Sequence, residues 1–138
     1  MEKTRPVNNN DNNKTINLEF KDAVVIPDKE MKGNISINYD GRYDSISINS
    51  QIEGSSDVFT YTEIEGKKKN HPYARLSIMK KELKDPKNFE FGIVTRHVPE
   101  IDFTNVKFRV TLIQEHKEIA SDVKYIKIKK NNINFCFF

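Results

Sequence analysis

Apolar and polar residues alternate along most of this chain, most clearly between Asn88 and Lys130. That stretch contains NFEFGIV, HVPEIDF, VKFRVTLIQ and VKYIKIKK in turn. Phe89, Phe91 and Ile93 alternate, as do Val106, Phe108, Val110 and Leu112, and then Ile126 and Ile128. A period of two sends one face of a strand into a core and leaves the other in water. The front half repeats the pattern. INLEF places Ile16, Leu18 and Phe20 on one face, KGNISINY places Ile35, Ile37 and Tyr39 together, and DSISINSQIEG does the same with Ile46, Ile48 and Ile52. AVVIP is a short strand that Pro27 ends or holds at an edge. DVFTYTEI puts Phe59 and Tyr61 on one face and Val58 and Ile64 on the other.

Turn signals separate these runs: Asp40-Gly41, Gly54 and Asp85-Pro86. EGKKKNHPY reads as a charged loop or hairpin tip, and EHKEIASD as a short polar connection. ARLSIMKKEL stays open. Leu76 and Ile78 suit a strand, whereas Leu76, Met79 and Leu83 suit one side of a short helix. No other segment keeps a helical period. The pattern predicts an all-β, immunoglobulin-like antiparallel sandwich of about seven to nine strands.

Composition adds limits. The length of 138 residues suits one domain. Mean hydropathy is −0.69, as expected when every second strand residue faces water. Residues 1–14 are polar and Asn-rich and are expected to form a disordered leader. The domain is expected over 15–130, and 131–138 form an apolar tail or an extra strand. The N-terminus lacks the apolar segment of a signal peptide, and no apolar run has membrane-spanning length. Cys136 is the single cysteine. It excludes an internal disulfide and fits a reducing compartment, so the expected location is cytoplasmic.

The net charge of +3 hides a segregation. Asp40, Asp44, Glu53, Asp57, Glu63 and Glu65 face one base, Arg42, between positions 40 and 65. Lys67, Lys68, Lys69, Arg75, Lys80, Lys81 and Lys84 then face one acid, Glu82. Such a basic run can meet an anionic partner, although strand-end lysines more often serve solubility. Lys67, Lys68, Lys69 and Arg75 are the candidate polyanion contacts. Ile133, Phe135, Phe137 and Phe138 are candidate contacts for a partner or a second copy.

Catalytic signals are weak. His71, His97 and His116 lack metal-ligand spacing, and the acids near strand ends show no D-x-D cluster for Ca²⁺. The glycines form no phosphate loop. No catalytic residue, metal or cofactor is expected.

The strand sequence also carries a resemblance. INLEFKDAVVIPDKEMKGNISI followed by DSISINSQIEG, and then FEFGIV, VPEI, NVKFRVTLIQ and VKYIKI, resembles an arrestin-type domain over most of Thr15 to Lys129. An unrelated immunoglobulin-like sandwich competes with it. The resemblance implies a non-catalytic adaptor domain for protein–protein contact, of the kind used in receptor trafficking. Relatives have two such domains, whereas this chain has length for one. The receptor-binding loop and buried polar cluster cannot be identified, so receptor activity is not carried over. The expected partner is a protein, with a homodimer through a strand edge or the tail as one form. Nucleic acid is disfavoured. Peripheral contact with an anionic membrane through Lys67–Lys69 is the alternative.

Overall fold

The computed structural model describes residues 14–130, so the expected leader, apart from Lys14, and the expected tail lie outside the described residues. The described residues form ten strands: β1 (Ile16–Phe20), β2 (Val24–Val25), β3 (Met31–Ile37), β4 (Ser45–Ile52), β5 (Thr60–Ile64), β6 (Lys67–His71), β7 (Arg75–Met79), β8 (Asn88–Val94), β9 (Phe103–Gln114) and β10 (Lys117–Lys129). They form two five-stranded sheets, β1-β3-β8-β5-β6 and β2-β10-β9-β4-β7. Neighbours are antiparallel except β2, which pairs parallel to β10 over two residues. The expected β-sandwich is therefore present.

The alternating positions form the core. Ile16, Leu18, Ile35, Ile46, Ile48, Phe91, Phe108, Val110 and Leu112 are all buried between the sheets. Phe108 sits at the centre of the aromatic part. Its ring lies 5.0 Å from that of Phe20 and 5.2 Å from that of Phe59, both edge-on. Phe20 also meets Phe91 at 5.9 Å. Gly33 makes room for these rings. It pairs with Phe20 on one side and Phe91 on the other, and a Cβ there would lie 2.5 Å from the Phe91 ring.

Four local readings are settled or changed. Of the loop and hairpin readings of EGKKKNHPY the hairpin holds: Glu65-Gly66 is its turn, with φ of 52° and 79°, and the lysines run along β6. Such a two-residue turn matches the twist of a hairpin. Ile64 faces inward with Phe59 and Tyr61 because the β5 register shifts between Tyr61 and Glu63. A bulge inserts one residue and so reverses the inward-outward parity beyond it. EHKEIASD is a tight turn at Glu115-His116, with φ of 50° and 67°, that opens directly into β10. In ARLSIMKKEL the strand reading holds through Met79, then one 3-10 turn follows (Lys80–Glu82). Leu76 and Ile78 are buried and Met79 is exposed, as a period of two requires.

Phe108→Ala removes the ring on which two others rest in a fully buried site. It is expected to cost about 3–5 kcal/mol, the usual range for Phe truncation in a core. Chemical denaturation of the variant checks this.

Candidate functional site

The two sheets are joined differently at their two sides. On one side β1 packs against β10, and the buried Asp122 carboxylate accepts from the Leu18 backbone N–H at 2.8 Å and from Lys14 Nζ at 2.7 Å. On the other side β6 and β7 are the outermost strands of their respective sheets. The chain crosses there from one sheet to the other through Pro72–Ala74. Tyr61 of β5 reaches across and donates its hydroxyl to the Ala74 carbonyl at 3.2 Å, and burial raises the pKa of that phenol. His71 Nε2 lies 2.8 Å from the Arg75 carbonyl.

β7 has an open edge. Ser50 N–H donates to the Ala74 carbonyl, and Lys80 N–H donates to the Asp44 carbonyl, both at 2.9 Å. With the register Ser45↔Met79 to Asn49↔Arg75, these bonds bracket the ladder. The backbone groups of Leu76 and Ile78 therefore point to β4, and those of Ser77 and Met79 point away from the sheet.

Beside this edge, along β7, β4 and β9, lies an open groove of about 880 Å³ lined by Ser45, Ser77, Ile113, Tyr43, Met79 and Pro86. Arg75, Lys80 and Lys81 line it. Lys81 also lines a neighbouring depression with Lys67 and Lys69. Lys80 Nζ sits 4.5 Å from the centre of the Tyr43 ring, and the Tyr43 hydroxyl donates to the Pro86 carbonyl at 2.7 Å.

The candidate polyanion contacts are thus divided between sheets. Lys67, Lys68 and Lys69 belong to β6 and Arg75 to β7, yet all belong to the open side. Lys80 and Lys81 complete the basic rim. Tyr43, Ile113 and Pro86 come from distant parts of the chain, and no local signal joined them. Ile133, Phe135, Phe137 and Phe138 lie outside the described residues.

The histidines remain apart from one another, and among the described residues no group of three or more His, Cys, Asp or Glu is placed to hold a metal ion. His97 has well-placed polar neighbours. Its Nδ1 lies 2.8 Å from Asp57 Oδ2, and its Nε2 lies 3.4 Å from Thr104 Oγ1. The hydrogen bond to His97 lowers the Asp57 pKa. Sequence reasoning missed this pairing because 40 residues separate the two groups. No helix among the described residues is long and apolar enough to cross a membrane.

No family model matches the chain, and no curated protein matches it. Solved structures do. The reeler domain of human F-spondin superposes with a TM-score of 0.52 and 9% identity, over 84% of this chain and 90% of that one. A mutant of the enterotoxigenic E. coli adhesin CfaE gives 0.55 and 14%, over 85% of this chain and 48% of the adhesin, so this chain spans about half of that protein. AvmM, described as catalysing macrocyclization in alchivemycin A biosynthesis, gives 0.51 and 7%, over 86% and 91%. Similarity at this level shows a shared fold. These neighbours overturn the arrestin resemblance: the fold lies with reeler-type, adhesin-type and related sandwiches. Alternating strands and a Pro-containing loop recur across β-sandwiches, so strand spacing alone does not single out one family.

Tyr61→Phe keeps the buried ring but loses the bond to Ala74. Because the Ala74 carbonyl retains its bond from Ser50 N–H, the expected cost is about 1 kcal/mol, measured by denaturant unfolding. Asp57→Asn should show pH-dependent destabilisation. The folded Asp57 pKa is lowered, so its stabilisation is present above the unfolded value of 3.8 and disappears as pH falls through the folded one. Thermal unfolding should separate wild type from variant at pH 6 and merge the two near pH 2.

Proposed function

We propose that this chain is a non-catalytic interaction module that binds an extended segment of another protein along the free edge of β7. The observation that carries this reading is the outward-facing backbone of Ser77 and Met79 beside the groove. An added strand would take main-chain hydrogen bonds from the edge and place alternate side chains beside Arg75, Ser77 and Met79 at the rim of the groove.

The other edges suit this role less. β2 has two residues, β1 is packed on β10, and β6 carries three exposed lysines in succession. Pairing of two β7 edges would bring Arg75, Lys80 and Lys81 of both copies together, and like charges oppose it.

Two observations support a non-catalytic reading of the Thr104-His97-Asp57 arrangement. Asp57 is open to solvent, and the threonine contact is long. We read it as a clip that fastens the segment before β5 to the segment after β8. The single Cys136 supports a cytoplasmic setting.

Selection of displayed short peptides against the chain tests the proposal. The expected result is binding lost on Ser77→Pro, since proline removes an outward N–H at an edge position where it is otherwise tolerated. Hydrogen exchange should show new protection at Ser77 and Met79. Binding that survives Ser77→Pro in a folded variant, or recovery of no peptide, overturns it.

A further inference from the structure

The acids and bases of this chain are put to different uses. The acids before position 66 are largely occupied by internal bonds. Asp44 accepts from Glu115 N–H at 2.6 Å, and Glu65 accepts from the backbone N–H groups of Lys84 and Asp85 at 2.8 Å each. Asp57 holds His97, and Glu63 holds Lys32. Among the described residues, Lys67, Lys69, Arg75, Lys80 and Lys81 form no ion pair with a carboxylate. These five line two adjoining depressions on the open side. The groove's two acids are Asp44, already engaged with the Glu115 N–H, and Glu115 itself on the turn; the second depression adds Glu65, engaged with the Lys84 and Asp85 N–H groups, and Glu82.

We infer that the segment bound at β7 is an acidic peptide strand, with one apolar side chain against Met79 at the rim of the groove and carboxylates facing Arg75, Lys80 and Lys81. The inference rests on the strand-addition reading and adds the chemistry of the partner. Strand pairing alone discriminates poorly among sequences, because the main chain is common to all of them. Side chains at the rim of the groove provide the choice. The unpaired cations favour carboxylates there and reject lysine-bearing strands. A strand with a period of two presents an apolar residue and an acid on opposite faces, or two acids in register on one face. The cations at both the groove and the β6 depression can then be met by alternate residues of one extended segment. A membrane surface would use the same cations but would leave the β7 backbone groups and the apolar groove unused.

Three labelled peptides of equal length test the inference by fluorescence polarisation. One alternates Val and Glu around a central Leu, and the others replace Glu with Gln or with Lys. The Glu peptide is expected to bind about tenfold tighter than the Gln peptide at low salt, from a few exposed charge pairs. This advantage should shrink as ionic strength rises. Arg75→Glu/Lys80→Glu/Lys81→Glu should remove the preference while leaving Gln-peptide binding in place, with the melting temperature confirming a folded variant. Equal, salt-independent binding of Glu and Gln peptides overturns the acidic inference and leaves strand addition standing. Binding of none of the peptides overturns strand addition itself. Phosphatidylserine vesicles serve as the other arm: vesicle binding lost on the triple variant, with no peptide binding, assigns the cations to a lipid surface and overturns the inference.

Discussion

The Asp122 carboxylate, buried inside the sandwich, joins the two sheets along one side. It accepts from Leu18 N–H on β1, from Val123 N–H on β10 and from Lys14 Nζ. A carboxylate this deeply buried is tolerable only with such donors, and leaving one without them costs roughly 3–5 kcal/mol. It thereby pins β1, the edge of one sheet, against β10 of the other. Phe20, four residues after Ile16, is then carried over Phe108 and Phe91. The polar staple and the aromatic cluster reinforce each other, since β1 supplies a donor to one and a ring to the other.

Closing one side has a consequence at the other. A sandwich of two open sheets has four edges, and exposed edges invite pairing with other chains. Here β1 is covered and β2 is short, so the unprotected backbone falls on β6 and β7. β6 is protected by charge. β7 carries fewer charges along its length, and its outward groups adjoin an apolar groove. The open side is tied by lighter means, the Tyr61 phenol and the short crossover before β7. That is the side where a guest strand can be added, since the outward backbone groups of β7 face away from the ladder that buries Leu76 and Ile78.

Much of this architecture was legible in the residues, because burial on one face imposes a period of two. β3 keeps that period from end to end, and β8 and β9 keep it through Phe89, Phe91 and Ile93 and through Val106, Phe108, Val110 and Leu112, so all three are legible directly. Elements that do not bury a face are not. β6, spelled KKKNH, forms because β5 offers it a ladder through a two-residue turn, and no apolar signal accompanies it. Ile64 was placed on the wrong face because a bulge changes parity without changing composition. Asp122 lay in a stretch read as a polar connection. Its importance comes from β1, over one hundred residues earlier in the chain, and a contact of that kind has no local signature. The candidate site divides in the same way. Its bases were visible as a run, whereas the groove needs Tyr43, Met79 and Ile113 brought together by the β4-β7 and β4-β9 pairings.

The charge segregation gains its meaning from the same folding logic. Carboxylates accept backbone N–H groups, so acids near turns and strand ends are drawn into bonds with unpaired donors. Asp44, before β4, binds the Glu115 N–H of the β9–β10 turn, and Glu65, in the β5–β6 turn, binds the Lys84 N–H of the loop before β8. Lysine and arginine carry only donors and cannot accept a backbone N–H. A chain that alternates an acidic run with a basic one will therefore spend its acids on its own backbone and present its bases to solvent. The net charge of +3 understates how positive the open side is. The fold itself is shared with proteins as different as an adhesin and a macrocyclization enzyme, so it leaves the choice of partner open. That choice rests on what the ladders and turns leave unsatisfied: one strand's outward backbone, an apolar groove and a row of cations that, among the described residues, form no ion pair.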